Sequence, residues 1–232
     1  MKNIHFILLL TVLSILSCKK EENDVQVNIS IENYPTKTSV NRNYTIDETR
    51  FYLSNFQLLD ASGNATTIKD VMLVKSTVDN SFSFKIPSGD FTKFRYSFGL
   101  DKATNNSNPN SFDDQNPLST KQDMFWGMLK YRFIVTEGKI DSSVAKNQTP
   151  AQLFSMHLGT DTLYRVITKD KRITKGSVIN IRVNMNKLFV LDADSFNLNS
   201  FSNHSDVSQI PRAIKIVDSL VNGIVTDIDT PN

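Results

Sequence analysis

The side chains of this sequence with chemistry beyond packing are few. The chain carries 3 histidines, 1 tryptophan, 1 cysteine and 6 methionines in 232 residues. His5 lies within the apolar amino-terminal run, which leaves His157 and His204. Imidazole nitrogen suits copper, zinc, iron and nickel, and copper(II) heads the affinity order at such sites. Two histidines do not complete an ordinary zinc site without added carboxylates. Met124, Met128 and Met156 flank the aromatic and histidine segments, and thioether sulfur prefers copper(I). Spacing alone leaves each residue a plainer use, the histidines as solvated surface groups and the methionines as gap-fillers in a core.

Three segments must position these groups. Residues 123–135, DMFWGMLKYRFIV, read with period two as one strand. Phe125, Leu129, Tyr131, Phe133 and Val135 form its core face, with Trp126, Met128, Lys130 and Arg132 on the other. Trp126 thus falls at the start of a strand where a loop meets the sheet, as a lid on the core or as part of a site. Residues 154–158 repeat the pattern: Phe154, Met156 and Leu158 face inward and His157 outward. Met128 shares the Trp126 side whereas Met156 faces the core, so Met128 is the better candidate sulfur ligand. Each histidine, like Trp126, lies beside a long loop, and in a sandwich such loops gather at one end or the other. Residues 101–122 have no apolar period, but their Asn and Asp content favours ordered turns through side-chain bonds to the backbone.

The remaining chain supplies the scaffold. Val25, Val27, Ile29 and Ile31 alternate with polar residues as a half-buried strand. Residues 50–59 and 67–75 flank a Ser-Gly-Asn turn as a hairpin, and residues 82–86 and 94–100 flank a second turn at 87–90 in the same way. Strands follow at 162–168 and 177–188, and residues 209–224 switch to helical spacing, with Ser208 as candidate cap. The expected fold is all-β: an antiparallel β-sandwich of about eight strands with long loops and one C-terminal helix. One domain over residues 25–232 suits the length. The formal net charge of +2, spread along the chain, offers no field for gripping nucleic acid. Nucleophile elbow, phosphate loop and helical pair of histidine ligands are all missing from the sequence, which reads as non-catalytic.

The amino terminus reads as an address. Lys2 precedes an apolar run over residues 6–16, the length of a signal-peptide core and too short to span a bilayer. It ends in Ile15-Leu16-Ser17-Cys18, which resembles a bacterial lipobox. Residues 1–17 are then a lipoprotein signal peptide, Cys18 the lipidated first residue, and residues 18–24 a charged tether. Cys18 is the lone cysteine, so no disulfide forms within the chain. Lys19-Lys20-Glu21-Glu22 reads as a solvated linker and also resembles the surface-export signal of Bacteroidetes lipoproteins. The expected location is the outer membrane, on its periplasmic face or at the cell surface.

Several motifs together are similar to the MbnP-like family of secreted copper-binding proteins. They are Leu53-Ser54-Asn55-Phe56, Ser97-Phe98-Gly99-Leu100, Asn116-Pro117-Leu118, Met124-Phe125-Trp126, Tyr131-Arg132-Phe133 and Phe154-Ser155-Met156-His157-Leu158-Gly159. The resemblance implies a β-rich extracytoplasmic protein that holds copper through histidines. In some members a tryptophan is oxidised to kynurenine, whose amino group joins the metal, by a partner resembling di-haem cytochrome c peroxidases. Trp126 matches that tryptophan and His157 the later histidine, with His204 as a second histidine. Where members often carry a histidine after the Gly-Leu strand, this chain has Asn105-Asn106, and an amide is a poor copper ligand. The rival reading, from a different class, is a surface glycan- or protein-binding sandwich in which Trp126 stacks on a sugar ring.

Overall fold

The computed structural model describes residues 24–32, 42–127, 130–189 and 208–231, with the backbone of residues 202–204. Cys18 and Met128 lie outside the described residues. The first alternating segment forms β1 (Val25–Glu32), with Val25, Val27 and Ile29 buried. β2 (Tyr44–Asp60) and β3 (Ala65–Lys75) make the expected hairpin. Asp60 closes its turn by accepting from the Asn64 side-chain amide and from the backbone N–H groups of Asn64 and Ser62, which hold its carboxyl below the usual range.

β4 (Asn80–Phe84) and β5 (Phe91–Phe98) do not form the second hairpin that their alternation suggests. β4 pairs antiparallel with β1, while β5 pairs with β2, so the chain crosses from one sheet to the other between them. Alternation specifies which residues point inward and says nothing of the partner strand. Here the inward residues meet across the core instead: the Phe56 and Phe82 rings stand edge-to-face at 5.1 Å.

Short elements follow: β6 (Phe125–Trp126) and β7 (Lys130–Tyr131), a two-stranded ribbon, then β8 (Ile134–Ile140), β9 (Gln152–Leu158), β10 (Arg165–Ile173), β11 (Val178–Asn184) and β12 (Ser202–His204). Helix α2 (Ile210–Asn222), preceded in the chain by the single turn α1 (Lys102–Asn105), buries Ala213, Ile216, Val217 and Leu220. Its N-cap position falls on Gln209 rather than Ser208. A last strand, β13 (Ile224–Asp229), is absent from the sequence expectation because Ile224 also sits at helical spacing from Leu220 and Val221. Pairing with β11 decides it.

The strands build two main layers, mostly antiparallel. One sheet has the order β13-β11-β1-β4; the other, of seven strands, runs β10-β5-β2-β8-β9-β12 with β3 on the far edge of β2. Two pairs, β1 with β11 and β9 with β12, are parallel within this frame. The core lies between the layers, which a buried hydrogen bond of 2.7 Å also joins, between the hydroxyls of Tyr96 on β5 and Thr226 on β13.

β2 is the spine of the larger sheet. Along one edge its first half pairs with β8 and its second half with β5. The two partners meet at Tyr52, whose N–H donates to Phe133 at 3.0 Å and whose carbonyl accepts from Gly99 at 2.9 Å. Gly99 has φ +82, and a Cβ there would strike the Phe133 ring. The segment between Gly99 and Phe133 therefore leaves and re-enters the sheet at one point.

Replacing Gly99 with Ala adds left-handed strain and overpacking, about 2–5 kcal/mol together, whereas Gly63→Ala, at φ +87 with open space around it, adds only about 1–2 kcal/mol. Urea unfolding of the two variants should separate them in that order. Equal losses would show that the strand junction is not the tight point described.

Candidate metal site

The polar stretch 101–122 is ordered by the devices its composition supplies. Asp101 caps α1 by accepting from the N–H groups of Ala103 and Thr104; Asn108 caps a 3-10 turn at Pro109–Ser111, and Ser119 another at Thr120–Gln122. Burial works to raise the Asp101 carboxyl, but its bonds from Thr104, Asn55 and Ala103 outweigh this and hold it below the usual range. Buried phenols tie the stretch to the sheet and to the tryptophan ribbon. Tyr52 donates to the Pro117 carbonyl and Tyr131 to that of Leu118, each at 2.9 Å.

The tryptophan segment is not the single strand its period suggests. The chain turns between β6 and β7, setting Phe125 opposite Tyr131 and Trp126 opposite Lys130, which takes φ +60. β8 begins afresh at Ile134 after the ribbon. Met124 is fully buried, and so is Met156, which leaves neither thioether at the surface. The ribbon is braced by charge. Asp123 receives the Arg132 guanidinium at 3.1 Å on one carboxylate oxygen and that of Arg50 at 3.7 Å on the other. Arg132 also donates to the Asp123 carbonyl, and Arg50 to the Gln122 carbonyl at 2.9 Å. Both arginines are largely buried, so these partners offset the cost of removing their charge from water.

Trp126 emerges from this brace 43 % exposed. The Arg132 guanidinium carbon stands 5.9 Å from its ring centroid, within cation–π range. The His157 ring meets it edge-to-face, centroids 5.9 Å apart and planes at 85°. His157 is on β9 opposite Val135, pointing outward as its period requires. Gly159 lets β9 run past the returning ribbon, since a Cβ there would overlap the Tyr131 carbonyl and the Arg132 backbone. That close approach accounts physically for glycine two residues beyond the histidine.

His157 Nε2 lies 2.7 Å from Oε1 of Glu137, a diagonal neighbour on β8. Both line a surface cleft of about 480 Å³ with Asp47, Glu48, Leu153 and Ser155. The backbone of β12 runs parallel to β9 in a register that places His204 opposite His157. Adjacent strands are about 4.8 Å apart, so two histidines distant in sequence share one rung. Asn105 is elsewhere employed: buried, it accepts from the Tyr131 N–H at 3.2 Å and donates to Asp161 at 2.8 Å. Asn106 donates to the Lys102 carbonyl and accepts from Lys130. These amides brace the ribbon.

Among the described residues, no three His, Cys, Asp or Glu side chains converge on one point. The groups in place are an imidazole, a carboxylate that faces its Nε2, and His204 at the paired position of the next strand. That chemistry fits a borderline divalent ion such as copper(II) and does not match the all-oxygen set of calcium. Glu137, Arg50 and Asp123 escape sequence reasoning because the pairing register of β8 with β9 and the ribbon's return are not written in periodicity.

A family model described as MbnP matches residues 17–209, from before β1 through β12. Among solved structures the chain is similar to MbnP from Methylosinus trichosporium, at 14% identity and a TM-score of 0.50, covering 79% of this chain and 81% of that one. At that identity the structural likeness speaks for the fold alone. No curated protein matches the chain. With most of its length matched by the family model, including Trp126, His157 and His204, this chain belongs to the MbnP family.

Proposed function

We propose that this protein binds copper outside the cytoplasm, for capture or storage, as a lipoprotein held in the outer membrane by Cys18. The observation that carries the reading is the edge-to-face contact of Trp126 with His157 at 5.9 Å, which joins the two residues singled out by the family resemblance. His157 and its rung partner His204 supply imidazole donors. Met128, two residues beyond Trp126 in the sequence, is the candidate thioether donor. Bound copper would supply tight, soft-tolerant coordination rather than a catalytic step, and we assign the chain no reaction of its own.

Trp126 has two roles in this reading. Unmodified, it covers His157 as a lid. Oxidised to kynurenine by a di-haem peroxidase-like partner, it adds an amino nitrogen to the donor set. Its 43 % exposure supports access by such a partner. The same exposure is what a glycan-stacking face would need, so the two readings must be separated by experiment.

Calorimetric titration of the mature soluble chain with copper should show one tight site. His157→Ala should weaken it by at least the about 10–100-fold that loss of even an outer partner of a metal ligand causes. Unchanged binding in that variant would remove His157 from the site, and retained glycan binding with no copper uptake would favour the rival reading. Peptide mass mapping of protein made beside a di-haem peroxidase should place a mass increase on the peptide holding Trp126; an unaltered peptide would assign Trp126 the lid role alone.

A further inference from the structure

Glu137 faces two polar neighbours, one on each side. On β2 its rung partner is Glu48, and like charges directly opposite one another are destabilising. Arg50 takes up the Glu48 carboxylate, Nε to Oε1 at 3.1 Å. Glu137 turns to the other side, its Oε1 2.7 Å from His157 Nε2, where the imidazole is 14% exposed and the carboxylate 43%. An ionised carboxylate has only acceptor atoms, so the proton between the two resides on Nε2. In the neutral ring the lone pair then belongs to Nδ1. The Trp126 ring, edge-to-face against the imidazole, holds its plane from a second direction.

We propose that Glu137 is the positioning residue of the site: it fixes His157 with the proton on Nε2 and makes Nδ1 the nitrogen that binds the metal. Metal-ligating histidines commonly donate the second ring N–H to a carboxylate, which sets the tautomer and orientation and raises ligand basicity. The inference rests on the copper reading for the identity of the ion, while the tautomer stands on geometry in the metal-free protein.

The test is nitrogen-15 NMR of the metal-free mature chain with the imidazole neutral, followed by copper titration, for the unsubstituted protein, Glu137→Gln and Glu137→Ala. The glutamine carbonyl can still accept from Nε2, so the first two should show the Nε2-protonated ring and similar copper affinity. Glu137→Ala should lose the single tautomer and bind copper about 10–100-fold more weakly. An Nδ1-protonated ring in the unsubstituted chain, or an alanine variant that keeps both tautomer and affinity, would overturn the proposal. So would a glutamine variant that keeps the tautomer yet binds as weakly as alanine, since the carboxylate would then itself be a ligand. Were the unsubstituted chain to take up no copper, the copper reading would fall, and the tautomer alone would decide the role of Glu137.

Discussion

The site depends on one backbone residue used twice. Tyr52 donates to Phe133 and accepts from Gly99, so two strands end against each other on a single edge of β2. A β-strand edge normally serves one partner, and sharing it opens a gap through which the chain between the partners must leave and return. Gly99 makes the approach possible by its positive φ and missing Cβ. Everything that projects at this gap, from the capped turns of residues 101–122 to the Trp126 ribbon, inherits its position from that junction. The Tyr52 phenol then holds the projecting chain from the sheet, and the Tyr131 phenol ties its capped turns to the ribbon.

Charge completes what the junction begins. Arg50 and Arg132 are cations in a largely buried setting, and a guanidinium there must find acceptors on several sides. Asp123 and the carbonyls before and at it provide them, in a left-handed backbone conformation at φ +50. The ribbon is thus fixed at its start by ions, at Tyr131 by the Asn105 amide and at Trp126 by contact with His157. A tryptophan held this firmly by its backbone can remain partly open to solvent without losing its orientation, a useful property in a residue that covers a ligand.

Periodicity made much of this legible and hid the rest for a consistent reason. It located β1, the β2–β3 hairpin, β9 and β11, and it set His157 outward and Met156 inward, because side-chain period reports the face a residue takes. Partner choice is a tertiary matter. Hence β4 and β5 read as a hairpin although they lie in different sheets, and β13 was concealed by an isoleucine that fits a helix as well as a strand. The strands β6 and β7 lie within a run whose period reads as one continuous strand, and β12 is too short to show any period. At the site, residue type pointed to His157, His204 and Trp126, whereas Glu137 is an ordinary carboxylate until register brings it to His157. Asn105 reads by type as a weak ligand; the fold spends both ends of its amide on the ribbon and Asp161.

The most direct test of the account is anomalous diffraction at the copper edge from crystals of the copper-loaded mature chain. A single strong peak is expected at coordination distance from the His157 imidazole, beneath Trp126 and beside the rung shared with His204. A peak elsewhere on the molecule, with none at the His157 imidazole, would contradict it.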